Sequence, residues 1–271
     1  MSWKTKLIFA AIIVFLANAA ALHVLSSKKP GTKEILKPLE VTVVPFTPSP
    51  PAEETVMPPE AGYPDYTGEK ILYDVKYGKL YLGKCEFSYL PKVNLDGKEL
   101  NLMVFVTRLS RFFDRETIYS DPETLLPVKI KRDVLNLLKR EYITEDYNQK
   151  DFSVTITKEN GRKQPPLVIK SSAPLQNPIL LPQYVRKLPE LVIGTVIPVN
   201  IPNKNLELKL VSVEKVKVPA GTFEAFHFQS DPRQIEIWIS ADENRIPLKI
   251  VGTGPFGYIL AMREYTSPNR F

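Results

Sequence analysis

Cysteine is almost missing from this chain of 271 residues. Cys85 is the only one, so no disulfide can close within the chain and no multi-cysteine metal site exists. Histidine is nearly as scarce. His23 lies inside an apolar run, which leaves His227 alone in the rest of the chain and excludes a two-histidine site there. No G-x-S-x-G, Walker A loop, G-x-G-x-x-G or H-E-x-x-H is found. A Ser-His-Asp triad would have to use His227, which sits in Phe223-Glu-Ala-Phe-His-Phe228 and reads as a half-buried strand residue. Cys85 has no histidine near it in sequence and reads as a small core residue rather than a nucleophile. No cofactor is implied. Internal repeats and long amphipathic helices are also missing.

A single dominant charge is absent too. The net charge is +6, yet residues 1–66 carry six basic and six acidic side chains, so the whole excess falls on residues 67–271. Basic residues there alternate with acids, and the longest cluster, Lys129 to Arg132, spans four residues. Nucleic-acid binding asks for a basic stripe with interleaved aromatics, so no nucleic-acid partner is expected.

What the chain does have is strong punctuation. Met1–Lys6 is a basic start. Leu7–Leu25 is apolar apart from Asn18 and His23. As a helix it would rise about 28 Å, close to a bilayer core. It reads as a membrane anchor, or as a signal peptide cut near Ala17-Asn18-Ala19 or Ala19-Ala20-Ala21. Lys28, Lys29, Lys33 and Lys37 outnumber Lys4 and Lys6, which opposes export under the positive-inside rule. Residues 26–66 form a linker, with nine prolines between Pro30 and Tyr66. An extended Pro-rich stretch gains about 3.1 Å per residue and would hold the following domain away from a membrane.

From Thr67 to Tyr265 the pattern is antiparallel β, followed by a tail at 266–271. Ile71–Tyr77, Leu80–Leu90 and Leu100–Leu109 alternate apolar and polar residues. Tyr81, Cys85, Phe87 and Tyr89 are expected on one face. Asp96-Gly97 and Asn160-Gly161 are turn signals. Val218-Pro-Ala-Gly221 fits a type I turn. Ile235, Ile237 and Ile239 alternate with Glu236, Trp238 and Ser240, and Ala241–Arg245 has the length of a hairpin loop. One stretch breaks the pattern. Ser171–Pro178 reads as loop, and Ile179–Leu188 as a short helix limited or kinked by Pro182.

Gly68-Glu-Lys-Ile-Leu-Tyr-Asp-Val-Lys-Tyr-Gly78 with Gly83, then Tyr184-Val-Arg186, Pro219-Ala-Gly-Thr-Phe223, Ile237-Trp-Ile-Ser240, Arg245-Ile-Pro-Leu248 and Gly257-Tyr-Ile-Leu260 resemble, in order, a bacterial envelope family catalogued as domain of unknown function 3108. The resemblance spans Gly68 to Tyr265 and rests on turn and strand signatures. It implies an exported, periplasm-facing all-β domain, with a long antiparallel sheet curved into an open barrel or β-spiral around one short helical segment. It carries no enzyme activity across. Asn177-Pro-Ile-Leu-Leu-Pro182 stands where members often show Asp-x-x-Ser-Ala-Leu, which leaves the length of that helix open.

The expected function is therefore binding rather than catalysis. The protein would be tethered by its N-terminal segment to the inner membrane, or released to the periplasm if that segment is cleaved. A curved aromatic sheet would take a lipid-like or hydrophobic ligand, or an envelope protein partner. Tyr184, Arg186, Trp238 and Phe226 are the candidate ligand contacts, with Arg186 facing an anionic head group or a structural ion pair. The alternatives are a scaffold with a filled core, and a cell-wall hydrolase using paired carboxylates among Asp74, Glu86, Glu116 and Asp133.

Overall fold

The computed structural model describes residues 65–268, apart from 163, 203 and 254–256. The basic start, the apolar segment 7–25 and nearly all of the linker lie outside the described residues. In the first half, β1 (Lys70–Tyr77), β2 (Leu80–Leu95), β3 (Lys98–Leu109), β4 (Phe112–Ser120), β5 (Pro127–Asn136), β6 (Lys139–Asn148), β7 (Ser153–Glu159) and β8 (Leu167–Lys170) follow one another through short turns. A 3-10 turn (Pro178–Leu180) and α1 (Leu181–Arg186) interrupt the strands. The second half is β9 (Val196–Ile201), β10 (Lys204–Val218), β11 (Gly221–Asp231), β12 (Ile235–Ser240), β13 (Pro247–Gly252) and β14 (Ile259–Thr266).

All fourteen strands belong to one antiparallel sheet in the order β8-β7-β6-β5-β4-β3-β2-β1-β14-β13-β12-β11-β10-β9. Two meanders are thus joined in the middle, where β1 pairs with β14, as Val75 opposite Leu260. The sheet is not closed: β8 and β9 are its edges. Asn200 of β9 spans part of that gap. Its side-chain amide donates to Ser171 Oγ at 2.8 Å and to Ala173 O at 2.7 Å, just beyond β8. The open, barrel-like sheet with one short helix is the architecture expected of the sequence.

Pro182 starts α1 rather than kinking it. A helix tolerates proline in its first turn, where the missing N–H would have no partner. Asn177 caps the preceding 3-10 turn, accepting from Ile179 N at 2.8 Å. The helix is six residues long, with Leu181, Pro182, Gln183, Val185 and Arg186 buried. Together with Leu175 and Leu180 it fills one end of the curved sheet. Tyr73, Cys85, Phe87, Tyr89, Met103, Phe105, Ile118 and Ile130 face inward on the first meander. Leu206, Leu208, Leu210, Phe228, Ile237 and Ile239 do so on the second.

Tyr81 departs from the expected face. A bulge makes Val75 pair with Gly83 but Lys76 with Tyr81, which moves Tyr81 to the outer side, where it is 49% exposed. The bulge depends on Gly83. A Cβ there would stand 2.1 Å from Arg108 O on the neighbouring strand. Gly83→Ala should therefore force β2 and β3 apart and destabilise the domain by about 1–3 kcal/mol, read as a lower urea midpoint. An unchanged midpoint would show that the strands can move aside at no cost.

Candidate functional site

The four residues singled out from sequence do not converge. Tyr184 and Arg186 lie on α1, inside the sheet. Phe226 pairs with Ile239 while its neighbour His227 pairs with Trp238. Successive strand residues point to opposite faces, so Phe226 and Trp238 face opposite ways. One ligand cannot touch both through the sheet.

Arg186 makes a buried bidentate pair with Glu69. Its Nη1 donates to Glu69 Oε2 at 2.7 Å and its Nη2 to Oε1 at 2.8 Å. Gln183 Oε1 and Asn244 O accept from the same guanidinium, each at 3.0 Å. The Tyr66 ring covers it at 4.0 Å from the ring centre, although Tyr66 reads from sequence as the end of the linker. Tyr265 OH donates to Glu69 Oε1 at 3.0 Å. Arg245, in the β12–β13 loop, donates to Arg186 O, Leu188 O and Pro189 O and so caps the C-terminal end of α1. Tyr184 OH donates to Leu125 O at 3.0 Å. The structural ion pair, one of the two readings of Arg186, is the one observed. Glu69, its partner, was not singled out: it lies just before β1, in phase with the inward Ile71 and Tyr73.

A second charged group lies inside the first meander. Asp114 and Glu116 on β4, Arg132 on β5, and Glu145 and Tyr147 on β6 all point inward. Arg132 bonds Asp114 Oδ2, and its Nε stands 3.5 Å from Glu116 Oε1. Tyr147 OH donates to Glu145 Oε2 at 2.7 Å. Asp114 Oδ1, Ser120 Oγ and Arg132 Nε are buried without a hydrogen-bond partner. Burial pushes the Glu116 carboxyl well above the usual glutamate range, further than Arg132 pulls it down, and raises Asp114 as well. Sequence did hold a signal for this row. Asp114, Glu116 and Ile118 alternate on one strand face, so the acids had to share the side of the isoleucine.

The carboxylates of the hydrolase alternative are dispersed. Asp74 is bound by Arg263 on the outer face, at 2.6 and 2.7 Å. Asp133 is held by Arg140, and Glu86 lies 3.6 Å from Lys70. Glu116 points inward, is only 4% exposed, and is shut off from any polymer.

Trp238 lies on the face opposite Phe226, buried in the larger apolar cluster and edged by polar contacts. His227 stacks on it at 4.1 Å and 9°, and Lys249 Nζ lies 4.2 Å over its ring. Its Nε1 donates to Glu214 Oε1 at 2.7 Å. His227 Nε2 is 3.0 Å from Glu236 Oε2. Trp238 is 6% exposed, so this group ties β10 through β13 together and presents little ring surface. Among the described residues no three His, Cys, Asp or Glu side chains are placed to hold a metal ion.

The end of the sheet away from α1 is different. An open depression of about 650 Å³ lies between the β3–β4 and β5–β6 turns, lined by Leu109, Phe112, Phe113, Leu135, Leu137 and Leu138, with Arg111 at its rim.

The family model for "Protein of unknown function (DUF3108)" matches residues 72–262. The chain belongs to this family. Among curated proteins no relative matches it. Three solved structures are similar to this DUF3108 protein. One is a β-barrel-like protein of domain of unknown function 1849 from Brucella abortus, with 12% identity and TM-score 0.45, over 76% of this chain and 99% of that one. Another is a protein described as exported, with a YmcC-like fold, from Bacteroides fragilis, with 8% identity and TM-score 0.27, over 76% and 98%. The third is described as a lipoprotein, from Parabacteroides distasonis, with 9% identity and TM-score 0.28, over 75% and 97%.

Two predictions come from the interior charges. Glu69→Ala leaves Arg186 buried and unpaired, and should cost about 3–5 kcal/mol in urea unfolding. Replacing both partners by apolar residues of similar size should cost clearly less. Equal losses in the single and double variants would mean that the pair itself is not what matters. Glu116 has a raised folded pKa, so the folded state binds the extra proton and loses stability as pH climbs above the usual glutamate range toward the folded value. Glu116→Gln should flatten that decline above the usual glutamate range. A wild-type profile that rises with pH there would refute the assignment.

Proposed function

We propose that this DUF3108 protein is a non-enzymatic envelope module that faces the periplasm and works by binding. Its β-domain takes a lipid-like or hydrophobic ligand, or an apolar segment of an envelope protein. The N-terminal segment holds it at the inner membrane, and the Pro-rich stretch gives it reach. The depression at the end away from α1 carries this reading. Its volume of about 650 Å³ falls within the range of small-molecule sites, and its walls are leucine and phenylalanine with a single arginine at the rim. An acyl chain or a hydrophobic side chain would gain apolar contact there, and Arg111 would meet an anionic group. The apolar run at 7–25, the prolines after it and the family resemblance support the location. The burial of the interior carboxylates supports a binding role over a hydrolytic one.

A second reading, a scaffold with a filled core, is favoured by Arg186. Both of its terminal nitrogens are already bound by the Glu69 carboxylate, which stands where an anionic head group would.

The fourteen strands and both apolar clusters of the described residues lie within residues 65–268, so a chain starting at Asp65 contains the sheet described above. Native mass spectrometry of that chain, exported to the periplasm of a bacterial host and purified without detergent, should reveal an adduct of lipid-like mass that organic solvent removes. Phe113→Glu should reduce the occupied fraction at least about tenfold. A clean mass that stays unchanged after incubation with envelope lipids would reject ligand binding in favour of the scaffold.

A further inference from the structure

The end of the sheet away from α1 carries an apolar and basic rim. The turns β1–β2, β3–β4 and β5–β6 all lie at the end away from α1, as the pairings Tyr77 with Leu80, Leu109 with Phe112 and Asn136 with Lys139 require. Apolar side chains stand out in solvent there. Leu138 is 96% exposed, Leu137 and Leu80 are each 58% exposed, and Tyr81 is 49% exposed. Lys79, Lys84, Arg108, Arg111, Lys139 and Arg140 are exposed around them. No Asp or Glu occurs in residues 76–84, 108–113 or 135–140. At the α1 end the hairpin turns instead hold Asp96, Asp121, Glu123, Asp151, Asp242 and Glu243, against Lys98, Lys150 and Arg245. The chain enters β1 at the α1 end. β3, with 12 residues, sets the two ends about 40 Å apart.

Leu137 adds an independent observation. Its φ is +58°, a left-handed conformation that Gly or Asn adopts at lower cost. The turn therefore bears backbone strain as well as an exposed leucine, and neither helps the fold. Leu137 N donates to Arg111 O at 2.9 Å, which ties this tip to the β3–β4 tip and makes one rim of the two.

We propose that this rim docks on an anionic phospholipid surface, with the Leu137 and Leu138 side chains entering the headgroup layer and the surrounding lysines and arginines meeting lipid phosphates. Two features select a bilayer over a protein partner. The leucines are at the apices of hairpins, where they project into a soft layer rather than receive a complementary shape. Lys79, Lys84, Arg108, Arg111 and Lys139 surround them, and the nearby Asp133 is already taken up by Arg140, so the rim is net basic and an anionic surface attracts it. The rim shares Arg111, Leu137 and Leu138 with the depression, but docking requires no bound ligand and can hold where ligand binding fails.

The test uses the full chain in vesicles with an environment-sensitive fluorophore. The label sits on Leu138→Cys, or on Glu123→Cys at the α1 end as the reference; the native Cys85 is 1% exposed and resists labelling. On vesicles of phosphatidylcholine with phosphatidylglycerol, the emission from position 138 should shift to the blue and that from position 123 should not. On pure phosphatidylcholine neither should shift. Arg111→Gln and Lys139→Gln should each lower the ratio of docked to undocked protein about fivefold, with salt producing the same loss. Leu137→Asn separates docking from folding. It should raise Tm by about 2–3 °C by relieving the strain, yet weaken docking. A probe at 138 that stays in water on both vesicles overturns the proposal, even if an acidic protein later covers it. Equal shifts at 138 and 123 overturn it as well.

Discussion

A guanidinium buried at one end of an open sheet has to be neutralised, and the arrangement of this domain follows from how that is done. Arg186 and Glu69 are 117 residues apart in sequence. Their pairing brings the short helix against the start of β1. It also collects Tyr265 from β14, Asn244 from the β12–β13 loop and Tyr66 from the segment before the sheet. A buried ion pair adds little net stability over apolar residues of the same size, because desolvation offsets its attraction. Its effect is to set position. Any other placement of α1 would leave a charge unpaired in an apolar interior, and that cost is several times the value of an ordinary contact. The β1–β14 seam joins the two meanders at the same place, so chain entry, chain exit and plug depend on one another.

That constraint explains why the sheet can stay open. A closed barrel removes its edges by pairing them. Here the edges are β8 and β9, and the segment between them is the one that dives inward to supply the 3-10 turn and α1. Asn200 and Ser171 replace part of the missing ladder with side-chain hydrogen bonds. The chain gains a plug at one end and gives up closure along one line.

Strands and turns were legible in the sequence because they depend on neighbours in the chain. Val218-Pro-Ala-Gly221 becomes the β10–β11 turn, and Ala241–Arg245 lies within the β12–β13 connection. Tyr81 shows where that reading ends: an alternation of two carries side chains past a bulge only if the bulge is known, and Gly83 alone did not announce it. The short helix was legible, but the role of its proline was inverted, since a first-turn proline and an interior proline look alike until the cap is located. The candidate contacts fared differently. Tyr184 and Arg186 were read onto the helical segment, yet aromatic content could not tell that Phe226 and Trp238 face opposite ways. Neighbouring alternations have to be compared across β11 and β12 to see it. Glu69 escaped notice because its partner is remote, and an ion pair across such a separation leaves no local pattern.

The charge distribution of the domain follows the same division. Once α1 and the chain entry occupy one end, the hairpins there pack against loops and carry acids that accept from backbone N–H groups. Asp121 Oδ1 takes bonds from Glu123 N and Thr124 N, and Asp242 Oδ1 from Asn244 N and Arg245 N. Those acids serve their own turns. At the far end the β1–β2, β3–β4 and β5–β6 turns are two residues each, and among the described residues no helix packs on them. Leucine at the left-handed position of a hairpin turn has no such local use: it costs backbone strain and exposes apolar surface at once. Such a residue is retained where something outside the fold compensates for both. The docking rim proposed above lies at this turn end, away from the buried charges that position α1.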